Sequence, residues 1–187
     1  MVDFAEFVPP YDNICCDPVA TIFPSAKMSE LDAIDLKILD LLQREGRLSM
    51  TELGERVGLS TSPCSQRVKR LERIGVIKGY HAAIDPAAVG KSLLVFVEIT
   101  LSEKSEQIFK KVREELEHTP EVLECHLVSG SFDYLVKARL AGMGEYRQLL
   151  GTMLKRIPVP AQSNSFVVIE EVKESGVMRV GPRAARR

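Results

Sequence analysis

From residue 29 the apolar positions fall into a helical rhythm. Leu31, Ile34, Ile38, Leu41 and Leu42 recur at i, i+3, i+7, i+10 and i+11, one stripe of an amphipathic helix. Ser29, with Asp32 three residues on, predicts the N-cap, and Gly46 the end. A shorter helix follows. Ser49 and Glu52 fit the S-x-x-E capping box, Leu53 and Val57 share a face, and Gly58 breaks the pattern. A third helix starts within Ser60-Thr61-Ser62-Pro63, where hydroxyls suit a cap and proline is tolerated in the first turn. Cys64, Val68 and Leu71 make its buried stripe, and Gly75 ends it. Residues 76–91 predict a short strand and a connection, with Asp85-Pro86 and Gly90 as breakers.

Beyond residue 90 the rhythm changes. LLVFVEITL (93–101) is β-rich with apolar residues on both faces, the pattern of a central strand. Residues 104–118 are helical, with Ile108, Val112 and Leu116 inward. VLECHLVSG (122–130) reads as a strand into a turn, and Asp133 to Leu140 as its hairpin partner across Ser129-Gly130-Ser131. Met143, Tyr146, Leu150, Met153 and Ile157 form another helical stripe, stopped by Pro158 and Pro160. SFVVIEEVK (165–173) predicts the last strand. The order β-α-β-β-α-β is the ferredoxin-like split βαβ. The predicted class is therefore α+β. A helix-turn-helix domain, 29–90, would precede a ferredoxin-like domain, 91–175. A flexible extension, 1–28, and a basic tail, 176–187, would flank them.

Composition adds little until charge is placed along the chain. Hydrophobic residues make up 45 % and charged residues 27 % of 187, an ordinary globular balance. The net charge of -1, taken alone, argues weakly against nucleic-acid binding, but its distribution argues for it. Residues 1–35 carry seven acids against Lys27, whereas 66–78 carry Arg67, Lys69, Arg70, Arg73 and Lys78 against Glu72. The chain ends in the basic RAARR. No apolar run approaches the roughly 20 residues of a membrane helix. MVDFAEFVPP has neither the basic start nor the apolar core of a secretory signal, so a cytoplasmic protein is expected. Cys15, Cys16, Cys64 and Cys125 match neither a zinc site nor a disulfide framework. His81, His118 and His126 are scattered, and His126 is expected to be a partly buried structural or interface histidine. No nucleophile elbow, phosphate loop or dinucleotide fingerprint occurs, so neither an enzyme nor a resident cofactor or metal is indicated.

Three helices, the second and third joined by Val57-Gly58-Leu59-Ser60, have the sequence form of a helix-turn-helix. Its third helix would enter a major groove. With Cys64, Val68 and Leu71 inward, Ser62, Gln66, Lys69, Arg70 and Arg73 face out. Glutamine pairs bidentately with adenine, arginine or lysine with guanine. Hydroxyls and the helix start suit phosphate oxygens. The candidate DNA-contact set is Ser60, Thr61, Ser62, Ser65, Gln66, Arg67, Lys69, Arg70 and Arg73. The plain alternative is a solvated basic face on a three-helix bundle. The glycine turn, the hydroxyl-rich start and the basic excess together favour DNA.

LDAIDLKILDLLQREGRLSMTELGERVGLSTSPCSQRVKRLERIGVIKGY resembles the DNA-binding domain of the leucine-responsive (Lrp/AsnC) regulators, most specifically in VGLSTSPCSQRVKRLE. LLVFVEITL, ECHLVSGSFDYLVK and FVVIEEVK resemble that family's sensor domain. The resemblance covers about residues 29–175. It implies a sequence-specific transcriptional regulator of amino-acid metabolism genes that binds double-stranded DNA. It implies a homodimer that assembles further, often to an octamer, and an effector such as leucine or another small amino acid bound between subunits. It points to Leu127, Gly130, Asp133 and Met143, with Phe166, Val167 and Val168 on the last strand.

Chemistry supports parts of that set. Glycine at 130 lets backbone N–H groups approach a carboxylate, Asp133 offers an ion pair to an α-ammonium, and Met143 with the valines offers an apolar wall. Each has a structural alternative: Gly130 serves the turn, Asp133 caps it, Met143 starts an apolar helix face. Ser131 stands where the family's best-known member has an acid, and Phe166 where it has a tyrosine, which weakens leucine in particular as the effector. A second function follows from the same fold: an assembly or DNA-architectural module without a small-molecule effector.

Overall fold

The computed structural model describes residues 31–180. The expected extension over 1–28, the Cys15-Cys16 pair, Ser29 and residues 181–187 of the basic tail lie outside them. Two compact units form. One runs up to His81 and takes in the chain from Ser175, and the other is Ala82–Glu174.

The first unit is built on α1 (Ala33–Arg44), α2 (Met50–Val57) and α3 (Thr61–Arg73). Asp32, not Ser29, caps α1. Its carboxylate accepts the N–H groups of Ile34 at 2.9 Å and Asp35 at 2.8 Å. Asp35 returns the favour by accepting the Asp32 N–H at 3.2 Å, so the capping box is closed by two aspartates. The box on α2 is the expected one, with Ser49 accepting from the Glu52 N–H and Glu52 from the Ser49 N–H. Gly58 then takes φ 80° and ψ 34°, a left-handed setting that glycine adopts without a Cβ clash. Ser60 stands at the cap position of α3, but its side chain makes no capping hydrogen bond, contrary to expectation. At the other end Gly75, φ 69°, donates to Glu72 and Val76 donates to Leu71, the paired bonds of a Schellman ending.

Ile38, Leu42, Leu53, Val57, Cys64, Val68 and Leu71 form the core of this unit. Leu31, Ile34 and Leu41 of the expected stripe are only partly buried. The strand expected within 76–91 does not form. Val76 and Ile77 pack against the core, but from Tyr80 on no neighbouring strand offers hydrogen bonds, and Tyr80, Ile84 and Val89 stay exposed. The side chain of Gln43 reaches the far end of the chain: its Nε2 donates to the Met178 carbonyl at 2.6 Å and its Oε1 accepts the Met178 N–H at 2.9 Å.

The second unit is the expected β-α-β-β-α-β order. Strands β1 (Leu93–Leu101), β2 (Val122–Leu127), β3 (Tyr134–Leu140) and β4 (Ala161–Val167) form one sheet in the order β2-β3-β1-β4, every pair antiparallel. Helices α4 (Glu106–Glu117) and α5 (Met143–Arg156) complete it. Odd residues of β1 and even residues of β3 point into a core shared with Val112, Leu116, Leu149, Met153 and Ile157. Met143 does not share that face. It is half exposed at the start of α5, and farther along the helix Leu149 rather than Leu150 is buried.

The last strand is shifted toward its N-terminal side. Leu101 pairs with Ala161 and Val95 with Val167, so pairing begins straight after Pro160 and ends two residues short of the start of β1. Val168 makes one further bond, to the Leu94 carbonyl, and Ile169 and Val172 are then exposed. Neither residue has a strand to pair with.

Candidate nucleic-acid interface and effector site

Helix α3 presents a clear division of faces. Cys64, Val68 and Leu71 are buried, and burial raises the Cys64 thiol above its ordinary pKa, consistent with packing rather than reactivity. Ser60, Thr61, Ser62, Gln66, Lys69 and Arg73 are exposed, while Ser65, Arg67 and Arg70 are half-buried. The hydroxyls of Thr51 and Thr61 lie 3.4 Å apart, bringing the starts of α2 and α3 together.

Two arginines of the candidate set have partners that spacing along the chain does not reveal. Arg67 Nη1 donates to Asp32 Oδ2 at 2.6 Å and to Asp35 Oδ1 at 2.8 Å. Arg70 Nη1 donates to Asp35 Oδ2 at 3.1 Å. The Asp35 N–H and then the Arg67 guanidinium hold the Asp32 carboxyl below the usual aspartate range. Its hydrogen bonds to Asp32 and Asp35 in turn raise the pKa of Arg67. An open groove beside this cluster is lined by Pro63, Gln66 and Arg73 as well as the four charged partners. Asp32 and Asp35, which hold these two arginines, are not among the candidate residues that the sequence offers. The available signal was Asp35 itself, a charge at i−3 from Ile38 within an otherwise apolar stripe.

The candidate effector residues fall into two groups. Leu127, Gly130 and Asp133 sit at the hairpin end of β2 and β3, where Leu127 pairs with Tyr134 and Tyr134 with Ile99. Phe166, Val167 and Val168 sit where β4 passes Phe96, Val95 and Leu94, near the other end of β1. Met143 follows the end of β3, which pairs with Leu93. Ile99 and Val95 are four residues apart, roughly 13 Å along a strand. The two groups therefore do not meet within one chain.

Leu127, Met143, Phe166 and Val167 are among the large apolar side chains left exposed. Asp133 is the opposite case. It is buried, Leu101 donates its N–H to Oδ2 at 2.8 Å, and the Lys104 ammonium lies 2.8 Å from Oδ1. Both oxygens are thus engaged inside the chain, and the ion pair expected with a ligand is made by Lys104. Burial pushes this carboxyl up, but Lys104 and the Leu101 N–H outweigh it and leave it below the usual range. Gly130 has φ 157° and open space where a Cβ would stand.

No group of three or more His, Cys, Asp or Glu among the described residues could hold a metal. His126 is exposed in the single chain, so it is not a buried structural histidine, and its Nε2 lies 3.4 Å from Glu124. No helix among the described residues is long and apolar enough to cross a membrane.

Comparison with known proteins matches both units. Residues 31–78 match the family model of a winged helix-turn-helix DNA-binding domain, and residues 94–178 that of the Lrp/AsnC ligand binding domain. The leucine-responsive regulatory protein of Haemophilus influenzae is 50 % identical over 148 residues, covering 79 % of this chain and 89 % of that one. Its Escherichia coli counterpart is 48 % identical over 154 residues, covering 82 % and 94 %. Among solved structures, a transcriptional regulator from Neisseria meningitidis in complex with L-methionine superposes with TM-score 0.74 at 34 % identity, covering 80 % of this chain and 96 % of that one. A feast or famine regulatory protein from M. tuberculosis, complexed with L-methionine, gives TM-score 0.72 at 32 % identity, covering 81 % and 99 %.

Proposed function

This chain belongs to the Lrp/AsnC family of transcriptional regulators, and from that premise we propose that α3 reads a major groove through Ser62, Gln66, Lys69 and Arg73. The protein is a DNA-binding regulator responding to an amino acid, and not an enzyme. One observation carries the assignment of the surface: these four side chains project opposite Cys64, Val68 and Leu71, on a helix set by the left-handed turn at Gly58. Gln66 would pair with a base edge, and Lys69 and Arg73 would meet guanine or phosphate. The hydroxyls of Ser60, Thr61 and Ser65 suit phosphate oxygens. DNA binding is assigned to the first unit, whose helices end before His81, and sensing and assembly to Ala82–Glu174 rather than from residue 91.

The effector is a small amino acid with an apolar side chain, leucine or one of similar size. Exposed Leu127, Met143, Phe166 and Val167, with Val168, supply an apolar wall, and the backbone around Gly130 supplies N–H groups for a carboxylate. Because the two groups of residues lie toward opposite ends of β1, the site is completed by a second copy of the chain. The regulator therefore works as a homo-oligomer, a dimer or a higher assembly of dimers such as an octamer, and the genes it controls are those of amino-acid metabolism.

Selecting bound fragments from genomic DNA, with and without single amino acids, tests this reading. An enriched sequence motif whose occupancy changes with one apolar amino acid supports it. Enrichment indifferent to every amino acid would leave a DNA-architectural module without an effector. Loss of all DNA binding would remove the interface itself.

A further inference from the structure

Asp35 is the only charged residue buried in the first unit among the described residues. It lies in the first turn of α1, one turn before Ile38. A carboxylate in such a place is tolerated only when counter-charges and hydrogen bonds satisfy its oxygens. Here they do. Oδ1 accepts Arg67 at 2.8 Å, and Oδ2 accepts Arg70 at 3.1 Å and the Asp32 N–H at 3.2 Å. With Asp32, which also holds Arg67, two carboxylates meet two guanidiniums.

The geometry of α3 places those two arginines apart from the other polar residues of the helix. At about 100° per residue, Ser62, Gln66, Lys69 and Arg73 centre opposite the buried stripe. Arg67 falls beside the stripe, and Arg70 lies between it and the outward face. Their exposure follows that order, with Gln66, Lys69 and Arg73 exposed and Arg67 and Arg70 half-buried.

We propose that Asp35 is a positioning residue for DNA recognition: it holds Arg67 and Arg70 as internal braces between α1 and α3, withholding both from phosphate. The inference rests on α3 being the DNA-reading helix. It has two physical consequences. The brace fixes the angle of α3 on its own domain, so Gln66 arrives at a base edge in one orientation. It also removes two cations from the sequence-independent attraction to phosphate, which sharpens the preference for a specific site over random DNA.

The test uses the full chain and a 40-bp duplex of random sequence, with affinity measured over a series of KCl concentrations. Asp35→Asn keeps the shape and an acceptor for the Asp32 N–H but removes the charge. Expected is a steeper fall of log affinity with log salt, by about 0.9 for each arginine that reaches a phosphate, and tighter binding at low salt. A purely structural role would weaken binding without steepening the slope, and that result overturns the proposal. Arg67→Gln gives the second reading, and decides alone if Asp35→Asn does not fold. An unchanged slope supports the brace, and a slope shallower by about 0.9 makes Arg67 a phosphate contact and overturns it. Lys69→Ala and Arg73→Ala separate the two levels. If neither flattens the slope, α3 is not the DNA surface and both readings fall. If they do and Asp35→Asn does not steepen it, the brace alone fails.

Discussion

Single atoms decide much at two residues of this chain. Gly54 lies in α2 against the turn that leads into α3, and a Cβ built there would stand 2.7 Å from the Leu59 carbonyl oxygen. That oxygen belongs to the backbone of the turn, whose Leu59 N–H donates to the Gly54 carbonyl at 2.8 Å, so it cannot swing aside as a side chain tip would. Gly54→Ala is expected to cost about 1–3 kcal/mol by overpacking, despite alanine's better helix propensity. Urea unfolding measures this, and a neutral or stabilising result would show that the turn yields. Asp133 is decided by charge. Its folded pKa lies below the unfolded value, so its contribution is present above about pH 4 and is lost as pH falls through the folded value. The second unit should therefore lose stability on acidification below about pH 4, and Asp133→Asn should flatten part of that leg while lowering stability at neutral pH. A melting series from pH 7 down to pH 2 on both proteins checks it. Parallel curves would mean that the Lys104 pair carries no pH-dependent stability.

At the scale of elements, what a sequence declares and what it conceals have different physical causes. Helix stripes are legible because burial repeats at the helical period: spacing alone puts Cys64, Val68 and Leu71 inward, and they are buried. The Ser49–Glu52 box and the Gly58 turn were legible because each is local chemistry. The shift of β4 was not. FVVI is a β-rich apolar run, but which residues pair is set by the length of β1 and by where the chain leaves α5 after Arg156, both remote from that run. The brace at Asp35 was concealed for the same reason, since its partners lie 32 and 35 residues on. Gly58, in contrast, should behave as its spacing promises. Its φ of 80° costs an L-residue about 1–2 kcal/mol, so Gly58→Ala should lower stability by about that amount. The same variant should weaken DNA binding through the altered entry to α3. Native stability with native affinity would show that the turn accommodates a side chain.

For the whole molecule, the division into two units turns effector binding into something a melting curve can resolve. Each unit has its own hydrophobic core, one around Ile38 and Leu71, the other around Val97 and Val136. A ligand that binds only the folded second unit raises the stability of that unit by RT ln(1 + [L]/Kd), about 2.7 kcal/mol at one hundred times Kd. The first unit gains only what is coupled to it. Calorimetry with a panel of amino acids should therefore shift one transition for one apolar amino acid. The transition that responds can be assigned independently. Gln43 binds both backbone groups of Met178 within the first unit, so Gln43→Ala should lower the transition of that unit and leave the other in place. Because the two groups of effector residues do not meet within one chain, the ligand-dependent shift should also grow with protein concentration as copies associate. A shift of the same size at every protein concentration would mean that one chain holds the whole effector site, and the two-copy assignment would fail.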